Sequence, residues 1–230
     1  MIEKQLYRHR FSEAELERQR RLWRPIAQYL QRYVKPDGVT LDLGAGYCHF
    51  INEIRSGDKI AVDINPDNLL RWAAADVRQL VCAGADLSTI AANSVDTVFA
   101  SNVYEHFQTR EDVAASFTEV HRILKPGGRF LILQPNFAHC ARQYFDFFDH
   151  RLIFTHLGMA EGLAVSGFRI CKLVPQFLPY SSKSRLPSFP WLVATYLRMP
   201  LVWRIFGAQM LIVAKKAENS GVDGDATICR

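Results

Sequence analysis

A short apolar strand that runs straight into a glycine turn constrains this chain more than any other feature. Val39-Thr40-Leu41-Asp42-Leu43 reads as a buried strand, and Gly44-Ala45-Gly46 follows at once. Such a turn lets the backbone approach a ligand outside the carboxyl end of the strand, an arrangement typical of parallel sheets with helical crossovers. The segments around it keep the same rhythm. Ser12 and Glu15 form a capping-box pattern that opens a helix to about Tyr33, with Leu16, Trp23, Ile26 and Leu30 on its apolar side. Residues 47–54 read as a helix, 59–63 as a second strand, and Asn65-Pro66 as a cap followed by a proline at the first helical position. Strands are expected at 79–82, 95–100 and 129–133. Between the last two, Thr109 opens a helix that carries Val113, Phe117, Val120 and Leu124, and Lys125-Pro126-Gly127-Gly128 stops it.

The fold class that follows is α/β: a Rossmann-like parallel sheet with helices on both faces, preceded by an N-terminal helix. Beyond Pro135 the rhythm changes. Residues 144–162 read as mostly helical, 168–174 and 209–214 as two more strands, the last of them antiparallel. Residues 175–207, rich in Pro, Ser, aromatic and basic residues, read as an insertion over the sheet edge. One domain is expected over 1–217, followed by a polar tail at 218–230 expected to be disordered.

Nearly half of the 230 residues are hydrophobic, which excludes a globally disordered chain. The net charge of +5 suits anionic partners such as phosphorylated small molecules, RNA or acidic lipid head groups. Five dispersed cysteines without a CxxC pair suggest reduced thiols in the cytoplasm, and no metal site is expected from their spacing. Residues 1–11 are charged and carry no apolar run, so no signal peptide is expected. Arg198, Pro200, Arg204 and Gly207 interrupt the most apolar stretch, which argues against a membrane span.

Two further acids extend the glycine turn into a nucleoside-binding pattern. Asp63 ends the second strand 21 residues after Asp42, the distance at which an acid takes the ribose hydroxyls in nucleoside-binding folds. A carboxylate suits a vicinal diol because it accepts two hydrogen bonds. The alternative role for Asp63 is to cap the helix that begins at Asn65-Pro66. Asp86-Leu87, just past the third strand, offers a carboxylate to an adenine amino group and a backbone N–H to the ring. The alternative is an ordinary loop aspartate.

Taken in order, Leu41-Asp42-Leu43-Gly44-Ala45-Gly46, Asp63, Asp86-Leu87, the run from Asp96 through Ser101-Asn102-Val103-Tyr104-Glu105-His106, and Leu124-Lys125-Pro126-Gly127-Gly128 resemble the class I S-adenosylmethionine-dependent methyltransferase family, of the type 11 kind. The resemblance implies S-adenosylmethionine as cofactor. Asp42, Gly44 and Gly46 would then meet its methionine part, Asp63 and Ile64 the ribose, and Asp86 and Leu87 the adenine. Ser101 and Asn102 would border cofactor and acceptor. One departure stands out: Cys48 occupies a position where the family often has a third glycine. A dinucleotide site would want GxGxxG for its pyrophosphate, but His49 stands at that third position, which argues against a nicotinamide enzyme.

The acceptor side carries weaker patterns. Ser101-Asn102-Val103-Tyr104 lacks the Asn/Asp-Pro-Pro-aromatic motif of enzymes that methylate nucleobase amines, so DNA is not an expected partner. The run Tyr144 to Arg151, with Leu178-Pro179-Tyr180 and residues 183–187, resembles methyltransferases of bacterial polysaccharide biosynthesis. The reading adopted beside that resemblance is methyl transfer to a small-molecule acceptor, a hydroxyl of a sugar or sugar-linked intermediate, an anionic saccharide among the candidates. His106 and His150 are the candidate bases, with His139 behind them, because imidazole titrates near the working pH. Tyr104, Asn136, Lys183 and Arg185 are candidate acceptor contacts. The insertion reads as a lid, an acceptor cap or, over 186–206, a peripheral membrane contact. Rival functions are a cofactor-binding regulatory module and an RNA methyltransferase.

Overall fold

A computed structural model describes residues 12–180 and 189–217. The expected tail at 218–230, and Lys183 and Arg185, lie outside these residues. The order of elements is α1 (Glu13–Leu30), β1 (Val39–Leu43), β2 (Asp58–Asp63), α2 (Pro66–Trp72), β3 (Val77–Val81), β4 (Val95–Ser101), α3 (Arg110–Ile123), β5 (Leu124–Pro135), α4 (Phe137–Cys140), α5 (His156–Val165), β6 (Phe168–Leu178), α6 (Pro190–Leu197), α7 (Pro200–Phe206) and β7 (Gln209–Lys216).

The seven strands form one sheet in the order β3-β2-β1-β4-β5-β7-β6. The pairs from β3 through β5 are parallel, and β7 runs antiparallel to both neighbours, β5 and β6. Side chains alternate between two cores, as the pleat requires. Val98, Phe130, Ile132 and Ile212 face one side, under Phe117 and Val120 of α3 and Leu163 of α5. Phe99, Leu131, Leu133 and Leu211 face the other, under Ala27 and Leu30 of α1 and Trp203 of α7. Both faces are therefore covered, as expected of a parallel sheet.

Local chemistry sets the helix starts as the sequence suggested. Ser12 Oγ accepts the Glu15 N–H at 3.3 Å while Glu15 Oε2 accepts the Ser12 N–H at 2.8 Å, closing the capping box. Asn65 Oδ1 accepts the Asp67 N–H at 3.1 Å, and Thr109 and Asp112 form a second reciprocal box. No helix among the described residues is long and apolar enough to cross a membrane.

Three expectations need correction. Residues 47–54 form turns rather than a helix, because Gly44, Gly46 and Cys48 all take left-handed φ values of 66°, 51° and 55°. Alternate left-handed residues break the i to i+4 ladder before a helix can start. Between Asp146 and His156 the chain is an irregular loop, so the helical stretch after β5 is confined to α4, a 3₁₀ turn at Tyr144–Asp146, and α5. Finally, β6 continues to Leu178, so the insertion begins after it and not at Pro175. Pro175 is tolerated there because β6 is an edge strand whose register shifts between Val174 and Leu178.

Candidate active site

The topology reverses between β1 and β4. From β1 the chain moves outward to β2 and β3, then returns to place β4 on the other side. Ligands of open α/β sheets sit outside the carboxyl ends of the strands at such a point. The glycine turn and the loop after β4 meet there. A Cβ on Gly44 would lie 2.5 Å from Val103 Cγ2, so only glycine permits that approach. Asn102 also takes a left-handed φ of 51°, and its N–H donates to Leu133 O at 2.9 Å. Its side-chain amide reaches Ser101 Oγ at 3.2 Å.

Asp42 and Asp63 lie behind the turn. Asp42 is buried and accepts the Ile51 N–H. Burial drives its carboxyl well above the usual range, and the charge of Asp63 adds to the effect. Asp63 is raised too, again by burial, against the pull of three backbone N–H groups, those of Asn65, Gly46 and Ile64. Its Oδ2 accepts from Gly46 and its Oδ1 from Asn65, each at 2.8 Å. The cap of α2 is Asn65 itself, so Asp63 is not the capping residue. Gly46 faces open space: a Cβ there would meet only Gly44 O, at 3.9 Å. Ile64, 67% exposed beside Asp63, offers an apolar face at the same edge. Cys48 and His49 close the back of the turn. Burial pushes the Cys48 thiol up to about 12 and lowers His49 to about 4, so both are neutral at physiological pH.

Asp86 is exposed just past β3, and hydrogen bonds from Ser88 hold its carboxyl below the usual range. Leu87 departs from expectation. Its side chain belongs to the core, and its N–H is spent on Glu119 Oε2 at 3.1 Å instead of facing an adenine ring.

The acceptor-side candidates divide sharply. His106 and His150 come together, their ring centroids 5.2 Å apart. Between them lies Glu105, only 1% exposed, whose Oε1 is 4.0 Å from each Nε2. The loop bearing His150 is strapped to the Glu105 carbonyl, which accepts the N–H groups of Arg151 and Leu152 at 2.8 and 3.2 Å. Gln134 Nε2 donates to Glu105 Oε2 at 2.7 Å. His106 Nδ1 lies 3.1 Å from the Asp149 carbonyl, and His150 Nδ1 lies 3.4 Å from Tyr180 Oη. Burial raises the Glu105 carboxyl, while the neighbouring His106 lowers it less.

Tyr104 and Asn136 are corrected. Tyr104 is fully buried among Phe107, Phe117 and Phe130, with its hydroxyl 3.4 Å from Ser116 Oγ, so it has no surface to offer an acceptor. Asn136 is buried as well, and its amide is used internally. Nδ2 donates to Pro175 O at 2.8 Å and lies 3.0 Å from His156 Nδ1, and Oδ1 accepts the His156 N–H at 3.3 Å. Sequence reasoning missed Glu105 and Gln134. A polar residue inside the apolar run of β5 was the available signal for Gln134. Glu105 sat unremarked beside His106.

Comparison with known proteins fits this geometry. A family model described as "Methyltransferase domain" matches residues 41–132. The ubiquinone/menaquinone biosynthesis C-methyltransferase UbiE of Edwardsiella ictaluri is 30% identical over 123 residues, which are 50% of this chain and 47% of that protein. The chain thus spans about half the length of the curated relative it matches. A Haloferax volcanii methyltransferase, solved with the Trm112 activator, aligns with a TM-score of 0.65 at 19% identity, over 89% of this chain and 94% of that one. An S-adenosylmethionine-dependent methyltransferase of Archaeoglobus fulgidus aligns at 0.61 and 18%, over 83% and 93%. The Streptomyces coelicolor geranyl diphosphate C-methyltransferase, crystallised with Mg²⁺, geranyl diphosphate and S-adenosylhomocysteine, aligns at 0.60 and 19%, over 84% and 78%. At these identities the three structures speak for the fold alone. Residues 41–132 thus match a methyltransferase domain, the fold around them resembles that of S-adenosylmethionine-dependent methyltransferases, and these similarities support S-adenosylmethionine as the cofactor.

Proposed function

We propose that the protein transfers the methyl group of S-adenosylmethionine to a hydroxyl of a small-molecule acceptor, a sugar or a sugar-linked intermediate. The observation that carries the acceptor side is the convergence of His106 and His150 on buried Glu105, three residues past Asn102. When bound, the cofactor supplies a methyl group on a sulfonium and departs as a neutral thioether. The chain's own residues do the rest. Gly44 and Gly46 keep the turn open, Asp63 holds it and faces the ribose diol, and buried Asp42 offers negative charge to a cationic ligand. A hydroxyl must lose its proton as it attacks; in this reading His106 Nε2 takes it, and the contact of Nδ1 with the Asp149 carbonyl supports that orientation. Positioning supplies much of the remaining rate enhancement. Incubation with S-adenosylmethionine and a panel of saccharide acceptors tests the reading. It predicts S-adenosylhomocysteine together with an O-methyl product. Exclusive C- or N-methylation contradicts the hydroxyl assignment.

The outer face of α6 and α7 supports an acceptor held at a membrane. Trp191, Leu192, Met199, Leu201, Ile205 and Phe206 are exposed, and the exposed Arg198 and Arg204 lie among them. Aromatic and aliphatic side chains mixed with basic heads match an interface of anionic lipid. In this reading the helices lie on the membrane surface, and the acceptor is a lipid-linked saccharide. The proposed roles of Lys183 and Arg185 toward an anionic group belong to the same picture.

A further inference from the structure

We propose that Glu105, His106 and His150 form a binding site for a divalent transition-metal ion. Among the described residues they are the one group of three whose potential ligand atoms all lie within 4.8 Å of one another. Glu105 Oε1 is 4.0 Å from His106 Nε2 and 4.0 Å from His150 Nε2. That separation is too long for a hydrogen bond. A point equidistant from three atoms so spaced lies about 2.5 Å from each, and metal bonds from His and Glu are about 2.0–2.2 Å, so each ligand needs to close by only a few tenths of an ångström.

The surroundings resemble the outer shell of a metal site more than a chance meeting of polar side chains. Metal-bound imidazoles present one nitrogen to the ion and give the other to a carbonyl, carboxylate or hydroxyl, which fixes tautomer and ring orientation. Both histidines meet this condition. His106 Nδ1 faces the Asp149 carbonyl at 3.1 Å and His150 Nδ1 faces Tyr180 Oη at 3.4 Å, leaving both Nε2 atoms turned toward Glu105. The distal oxygen of Glu105 is held by Gln134 Nε2 at 2.7 Å. A second, independent observation, at Gln134, points to a ligand at this site. Gln134 is fully buried, yet its Oε1 has no hydrogen-bond partner among the described residues. Buried carbonyl oxygens are rarely left so, and a water on the ion would satisfy it. Spacing in the sequence gave no hint, since His106 and His150 are 44 positions apart.

Two imidazoles and one carboxylate suit Zn²⁺, Fe²⁺ or Co²⁺ and leave coordination positions open. His106 is the most exposed of the three, so a further ligand enters from its side. The ion's role rests on the hydroxyl-methylation reading above. An acceptor hydroxyl that coordinates the ion loses its proton to solvent water. Its oxygen then forms the new bond to the methyl carbon as the carbon–sulfur bond breaks and its electron pair stays on sulfur. With the ion bound, both imidazoles are ligands, and the acidification assigned to His106 passes to the metal. The site itself stands independently of that role.

Cobalt substitution tests the site without recourse to activity. The full chain, stripped with a chelator and dialysed, is titrated with Co²⁺ while visible absorption is followed and S-adenosylhomocysteine affinity is measured in parallel. We expect one Co²⁺ per chain, with d–d bands lost in Glu105→Gln and His150→Asn and cofactor affinity within twofold of the parent in both variants. Unchanged cofactor binding shows that the variants are folded. No stoichiometric Co²⁺ in the parent, or the same bands in both variants, overturns the site. One Co²⁺ bound as expected, with methyl transfer to hydroxyls unaffected by its removal, upholds the site and overturns the role given to it.

Discussion

Asp63 Oδ2 accepts the Gly46 N–H at 2.8 Å, so the acid that ends β2 pins the glycine turn that follows β1. One carboxylate thereby fixes the backbone of the glycine turn and still has lone pairs that could accept from a diol. Asp63→Ala is expected to weaken S-adenosylhomocysteine binding by about 1.5–3 kcal/mol, the range for hydrogen bonds to a charged group. The variant also leaves the Gly46 and Asn65 N–H groups without their partner, so the ligand-free protein should lose about 1–3 kcal/mol of stability. Asp63→Asn should recover part of both losses. Calorimetry and thermal unfolding measure the two effects separately, and parent-like affinity in Asp63→Ala would remove the ribose role.

The raised carboxyls of Asp42 and Asp63 carry a stability signature. Burial raises both in the folded state, so the folded protein binds more protons than the unfolded chain. Their contribution is fully present below the unfolded aspartate value, about pH 4, and is lost as pH rises through the folded values. Asp42→Asn keeps an acceptor for the Ile51 N–H and removes the buried charge. We expect it to raise the neutral-pH Tm of the ligand-free protein, to flatten the Tm profile on the acid side and to weaken S-adenosylmethionine binding. A Tm–pH profile in that variant identical to the parent's would contradict this account.

His106→Ala and His150→Ala should lower kcat by about 10²–10⁴-fold, the usual cost of removing a group that handles a proton. S-adenosylhomocysteine affinity should stay near that of the parent, because the proposed function gives both rings to the acceptor and not to the cofactor. Single-turnover kinetics with a working acceptor reads this directly. An equal loss of cofactor affinity would instead place the pair against the cofactor.

Vesicle co-sedimentation tests the α6–α7 face. The protein should bind vesicles with anionic lipid, bind neutral ones less, and release as salt rises. Leu201→Asp combined with Ile205→Asp should abolish binding without loss of Tm, since both side chains are exposed. Parent-like binding by the double variant would exclude these helices as the contact.

Much of this architecture was legible because its signals are local. Capping boxes at Ser12 and Thr109, the Asn65-Pro66 start and alternating apolar strands each act within a few residues. What escaped depends on distant partners. Residues 47–54 read as a helix in the sequence, but positive φ values at Gly44, Gly46 and Cys48 turn the chain there instead. Tyr104 looked like a pocket residue because it neighbours Asn102 and His106, yet the turn at Tyr104–His106 rotates it into the core while Glu105 and His106 face the loop after α4. Asp63 and Asp86 follow the glycine turn at spacings that can be read directly from the sequence. The Glu105, His106 and His150 cluster is assembled by a loop 44 residues away, and spacing could not find it.

The central claim is that the glycine turn and Asp63 hold S-adenosylmethionine and not a dinucleotide. Isothermal titration of the full chain with S-adenosylhomocysteine and, separately, with NAD tests it most directly. The account predicts saturable binding of one S-adenosylhomocysteine per chain, weakened in Asp63→Ala, and no heat beyond dilution with NAD. Saturable NAD binding with no response to S-adenosylhomocysteine would contradict it.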